Sequence, residues 1–206
     1  IDAGIKTVGQ LAKSDLSFIK MLVGDKSGEH IFALANGIDE SPVSSEEKEA
    51  KSYSVVTTVE ENITSYEVAN QILLGLADSV CARMRREGAK AYCVSVKIRS
   101  DDFKNQSHQL NLSDATDVTE EVYETSKTLF ANLWDGKTPL RLMGIALSNI
   151  SKDEEEQLSL FVDEEKEKQK KVDAAMDSIR SKYGMGKIVR GSVMKNSMNV
   201  GKKFNQ

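Results

Sequence analysis

Apolar and polar residues change period several times along this 206-residue chain, and each change predicts an element. Lys51–Ile63 is rich in β-branched residues, which suit a strand. Thr64-Ser65-Tyr66-Glu67 carries a capping-box signature: a hydroxyl accepts from an orphan amide and Glu67 reaches back. Behind it Ala69, Ile72, Leu73, Leu76, Val80 and Met84 recur at helical spacing until Gly88 ends the run. In Lys90–Arg99 the pattern turns to strict alternation, with Tyr92, Val94, Val96 and Ile98 facing inward and Cys93, Ser95, Lys97 and Arg99 outward. His108–Leu112 repeats it, with Leu110 and Leu112 inward. Val122, Ser126, Leu129, Phe130 and Leu133 then mark a helix from about Thr119 to Trp134. Asp135–Pro139 turns the chain, and Leu140–Ile150 predicts the last strand. The order β-α-β-β-α-β implies an α+β fold, with two helices on one face of a four-stranded antiparallel sheet.

The flanks read differently. Residues 1–39 predict short helices separated by glycine turns, one capped by Ser14 or Asp15 with Phe18, Ile19 and Leu22 on its apolar face. Residues 40–50 form a polar linker around Pro42, 51–150 the compact domain, 151–162 a charged segment, and 163–206 an amphipathic helix with a basic tail. Val172, Met176, Ile179 and Tyr183 predict that helix's apolar stripe, suited to docking on the domain or to a partner helix. The tail, punctuated by glycines, is expected to be disordered. The first residue is Ile1, and the chain reads as a segment of a longer protein.

Charge alters this picture through its distribution. The net charge of −4 argues against a uniformly basic nucleic-acid binder. Yet Arg83–Lys104 is predominantly basic, while acids gather in Asp153–Glu167. Two cysteines without CxxC spacing, Cys81 and Cys93, and two histidines make a Cys/His metal site a poor reading; reduced thiols in a cytoplasmic protein fit better. No window is long and apolar enough to span a membrane. The predicted sheet has one uncovered face, displaying Ser52, Ser54, Thr58, Ser95, Lys97, Arg99, Gln109 and Asn111. Hydroxyls, amides and cations without acids suit phosphate contacts; a merely solvated face is the alternative.

"KSYSVVTT", "VSVKIRSDDF", "TEEVYETSKTLFANLWDGKTPLRLMGIALSNIS" and "EQLSLF" together resemble the C-terminal part of bacterial Y-family translesion DNA polymerases, near the UmuC-like branch. "AGIKTVGQLAKSD" and "LANGIDESPV" resemble the end of that family's thumb, with part of its helix-hairpin-helix. Residues 51–150 then correspond to the little finger, which lays an open sheet in the major groove. The resemblance implies DNA contacts by Lys51, Ser52, Ser54, Lys97, Arg99 and Arg141, and by Lys6 in the hairpin turn, whose backbone amides can hold a phosphate. It implies primer–template or damaged DNA as ligand, and a role in damage bypass and the SOS response. The family's catalytic palm, with carboxylates holding two Mg²⁺, would lie upstream of Ile1, so this chain is expected to hold no cofactor and not to polymerise by itself.

Gln157-Leu158-Ser159-Leu160-Phe161 resembles the bacterial clamp-binding pentapeptide. Leu158, Leu160 and Phe161 would fill apolar pockets on a sliding clamp, with the Gln157 amide orienting them. A chance match occurs at about one position in tens of thousands. The alternative is an apolar turn packed back on the domain. At the level of the whole protein, the competing readings are a catalytically inactive adaptor that recruits repair proteins to the clamp and a single-stranded RNA binder. The latter is weakened because no aromatic residue lies on the central strands of the predicted open face.

Overall fold

The computed structural model describes residues 4–43, 49–152 and 164–193. Its residues cluster into two compact units, 1–48 and 49–206.

In the first unit, α1 (Val8–Ala12), α2 (Leu16–Val23) and α3 (Asp25–Ala35) are the expected short helices. Asp15 caps α2 by accepting from the Phe18 amide at 3.0 Å. Gly28 lets α2 and α3 meet closely: a Cβ there would lie 2.8 Å from the Lys20 Cα. Of the expected apolar face, Ile19 is buried, while Phe18 and Leu22 remain partly exposed.

The second unit has the architecture that the alternation predicts. Strands β1 (Ser52–Ile63), β2 (Lys90–Ser100), β3 (Asn105–Thr116) and β4 (Leu140–Ser151) form one antiparallel sheet in the order β1-β4-β2-β3. Helices α4 (Tyr66–Arg86) and α5 (Thr119–Leu133) pack on one face. Between them lies a core of Val55, Leu73, Leu76, Val80, Val94, Val96, Ile98, Phe130, Ile145 and Leu147. Within it Phe130 stacks on Trp134, Tyr66 meets the Phe130 ring edge-on, and the Tyr66 hydroxyl donates to the Trp134 carbonyl at 3.0 Å. Asp135 closes the following turn by accepting from the Lys137 and Thr138 amides.

Three expectations are corrected. The cap of α4 is Ser65, accepting from the Val68 amide at 3.3 Å, one residue later than a Thr64–Glu67 box requires. Tyr92 is 40% exposed rather than inward. Ala91 takes its place in the core, opposite Ile150, because the alternation changes phase where the β2–β3 pairing shifts register between Ala91 and Cys93. Leu110 pairs with Val94 on the helix side but is 47% exposed, since β3 is an edge strand that the helices leave largely bare.

A third helix, α6 (Glu164–Tyr183), docks on the helical layer, but not by the predicted stripe. Of that stripe only Met176 is buried; Val172, Ile179 and Tyr183 are exposed. The docking face is ionic. Asp173, 2% exposed, accepts from the Thr119 amide at the start of α5, from Arg85 and from Arg190. Arg85 also grips Asp177 with two nitrogens and donates to the Asp117 carbonyl. Arg180 pairs with Asp78 of α4 through both terminal nitrogens, and Arg190 adds a longer contact to the same carboxylate. Residues 184–193, expected as disordered tail, include two single-turn helices, Met185–Lys187 and Gly191–Val193, and bring Arg190 into this network. Burial opposes the Arg85 charge, but the bond to Asp177 and the nearby Asp173 outweigh it and raise the guanidinium pKa.

Removing one partner of a buried ionic network leaves the others desolvated and unpaired, which typically costs about 3–5 kcal/mol. Asp173→Ala should therefore lower unfolding stability by about that much, whereas Glu124→Ala, at the exposed Lys127–Glu124 pair, should cost under about 1 kcal/mol. Urea denaturation of both variants measures the contrast; equal losses would contradict the picture of a buried hub.

Candidate nucleic-acid interface

Helices on one side leave the other side of the sheet without a helical cover, and its register sorts the positions on that side into four rungs, of which Leu142, Gly144 and the Cys93 expected to face outward are buried. Thr58, Leu142, Arg99 and Asn105 make the first; Val56, Gly144, Lys97 and Ser107 the second. Ser54, Ala146, Ser95 and Gln109 follow, then Ser52, Ser148, Cys93 and Asn111. None of these positions is acidic. With strands about 4.8 Å apart, the four span about 14 Å, close to the major-groove width of about 12 Å. Lys97 and Arg99, two residues apart on β2, stand about 7 Å from one another along the strand.

All eight residues expected on this face lie on it, and Lys51 is exposed just before β1. Ser52, Ser54 and Lys97 are exposed; Arg99 is half-buried and donates to the Asn105 side chain at 2.8 Å. That bond holds the guanidinium across the β2–β3 pair. Arg83, at the end of α4, reaches round the sheet edge to donate to the Ser54 carbonyl at 3.1 Å, protecting part of the β1 edge.

Arg141 is placed differently. It falls in a bulge where β4 shifts register against β2, between the Arg99–Leu142 and Ser100–Leu140 pairs. Its guanidinium lies 4.1 Å from the centre of the Phe103 ring, at the β2–β3 turn, outside the four rungs. Lys6 belongs to the first unit. There Thr7 accepts from the Gln10 amide and Gln10 accepts from the Lys6 amide at 2.7 Å, so the turn offers fewer amides to an anion than the sequence suggests. The pentapeptide residues Gln157, Leu158, Leu160 and Phe161 lie outside the described residues.

The sequence pattern missed Asn105 and Ser107, because β3 begins at Asn105 rather than near His108. Every residue from Asn105 to Asn111 is exposed, so no buried alternation announces the strand. It also missed the flat centre of the face. A Cβ on Gly144 would approach a Val56 methyl to 2.7 Å: the glycine is buried, and its missing side chain lets Val56 pack directly against the β4 backbone.

Among the described residues, no group of three His, Cys, Asp or Glu side chains is placed to hold a metal ion. Nor is any described helix long and apolar enough to cross a membrane.

Residues 50–160 match the impB/mucB/samB family C-terminal domain. The chain is 37% identical over 204 residues to DNA polymerase IV of Clostridium kluyveri, covering 95% of this chain and 50% of the relative. It is 35% identical over 192 residues to DNA polymerase IV of Clostridium acetobutylicum, covering 92% and 48%. DNA polymerase IV 2 of Bacillus subtilis is 34% identical over 194 residues, covering 92% and 46%. The chain therefore belongs to the Y-family DNA polymerases, within the part that carries the impB/mucB/samB C-terminal domain. It spans about half the length of these relatives.

The turn beside Arg141 gives a pH prediction. The Lys104 ammonium, followed by the Ser100 hydroxyl, holds the Asp102 carboxyl down at about 2. A carboxyl lowered in the folded state stabilises fully above its ordinary value of 3.8, and that contribution is lost as pH falls through about 2. NMR titration should give an Asp102 midpoint near 2; a midpoint at the ordinary value would show that the turn does not hold the carboxylate.

Proposed function

We propose that the open sheet grips duplex DNA for a translesion polymerase and that Gln157-Leu158-Ser159-Leu160-Phe161 tethers the same protein to a sliding clamp. One observation carries the first half: four acid-free rungs, polar along β2 and β3 except at Cys93, with Lys97 and Arg99 at one end, in a chain of this family. Lys51, Lys97 and Arg99 meet phosphates, while Ser52, Ser54, Ser95, Gln109 and Asn111 offer hydroxyls and amides to the backbone. Such contacts do not depend on base identity, which suits a grip that must tolerate damaged template. Arg141 and Lys6 add further DNA contacts. The second half rests on the pentapeptide and its charged flanks. The protein would act in the cytoplasm during damage bypass, with palm carboxylates and Mg²⁺ supplied by the rest of the polymerase.

Fluorescence anisotropy with a labelled primer–template duplex, over a range of salt, tests the grip. Lys97→Ala and Arg99→Ala should each weaken binding across sequences, with a salt slope shallower by about 1. Unchanged affinity and slope in both would remove the open face from DNA binding. Calorimetry with the bacterial sliding clamp tests the tether. Changing Gln157, Leu158 and Phe161 together to Ala should abolish binding; equal binding, or none by the unchanged chain, would return Phe161 to a packing role.

A further inference from the structure

The ionic docking of α6 sorts its charges by side. Asp173 and Asp177 turn inward to Arg85, Arg180 and Arg190, and Asp173 is almost wholly buried. The opposite side, from Lys168 to Tyr183, is left without an acid. It exposes Val172, Ala175, Ile179 and Tyr183, spaced i, i+3, i+7 and i+11 along about 16 Å of helix. Val172 is 47% and Tyr183 59% exposed. Lys168, Lys171 and Lys182 are exposed along the same side. Docking of α6 uses none of this surface, because the ion pairs and Met176 supply the inward contacts.

We propose that the outward face of α6 is a docking site for an acidic amphipathic helix of another protein, whose apolar side chains cover Val172, Ala175, Ile179 and Tyr183 while its carboxylates meet Lys168, Lys171 and Lys182. Charge complementarity selects this occupant. A second copy would bring lysine-rich faces together, at a repulsive cost. Nucleic acid would satisfy the lysines but leave the aliphatic centre of the stripe uncovered. The face is formed by a helix on the far side of the core from the open sheet, so its occupant and DNA can be held at once.

The test is an NMR titration of the isotope-labelled chain with a synthetic helix of about 18 residues, carrying Leu at i, i+3, i+7 and i+11 and Glu on its flanks. The expected result is salt-sensitive binding, with shifts concentrated on the Val172, Ala175 and Ile179 methyls. Lys171→Glu combined with Lys182→Glu should weaken this helix about tenfold and improve binding of a counterpart flanked by Lys. Both lysines are exposed, so the variant should keep its unfolding midpoint; Ile179→Ser, at a second exposed position, should weaken both helices. Absence of shifts at these methyls, or equal binding of the two synthetic helices, would overturn the proposal. Shifts produced instead by vesicles of anionic phospholipid, or by duplex DNA, would reassign the face to a membrane or to nucleic acid.

Discussion

The organisation of this domain follows from a sheet that is dry on one side only. Val55, Val94, Val96, Ile98, Ile145 and Leu147 all turn toward α4 and α5, and each such side chain contributes about 1.5–3 kcal/mol on burial. Side chains alternate with a period of two, so burying this set forces Ser54, Ser95, Lys97, Arg99 and Ala146 to the other face. A slip of one residue would exchange the two sets and expose the core, which makes the register costly to change. The cations of the candidate interface thus inherit their positions from aliphatic neighbours one residue away. Lys97 is held in place by Val96 and Ile98 more than by any partner of its own.

Charge is segregated across the same layer. On the helical side, carboxylates of Asp78, Asp173 and Asp177 are neutralised by Arg85, Arg180 and Arg190; on the sheet side the rungs hold no acid. Buried ion pairs add little net stability over well-packed apolar replacements. What this network supplies is register: Asp173 ties the start of α5, the end of α4 and residue 190 to one carboxylate, leaving α6 few alternative ways to sit. An acidic chain can in this way present an acid-free face, because the acids are concentrated elsewhere.

The fold was legible where burial writes a period into the sequence. The alternation through Val94, Val96 and Ile98 and the helical spacing from Ala69 to Met84 both reappear as buried stripes. It was illegible where burial is absent or polar. The start of β3, Asn105-Gln106-Ser107, is exposed on both faces and made of weak strand formers, so it read as loop. The docking of α6 depends on Arg85–Asp173 and Arg180–Asp78, pairs 88 and 102 residues apart, and leaves no periodic trace. Val172 and Ile179 produced a stripe that lies on the outward side of that helix rather than at its docking face, since its buried side is charged. For the interface, the outward residues of β1 and β2 could be read from alternation. The bulge that sends Arg141 to Phe103 could not, because it is visible only in the pairing of β4 with β2.

The central claim is that DNA lies on the open face. The most direct measurement is amide hydrogen exchange of the chain with and without a primer–template duplex. Added protection should fall on Ser52–Thr58, Ser95–Arg99 and Asn105–Asn111, with α4, α5 and α6 unchanged. Protection confined to the helical side, with those strands unaffected, would contradict the account.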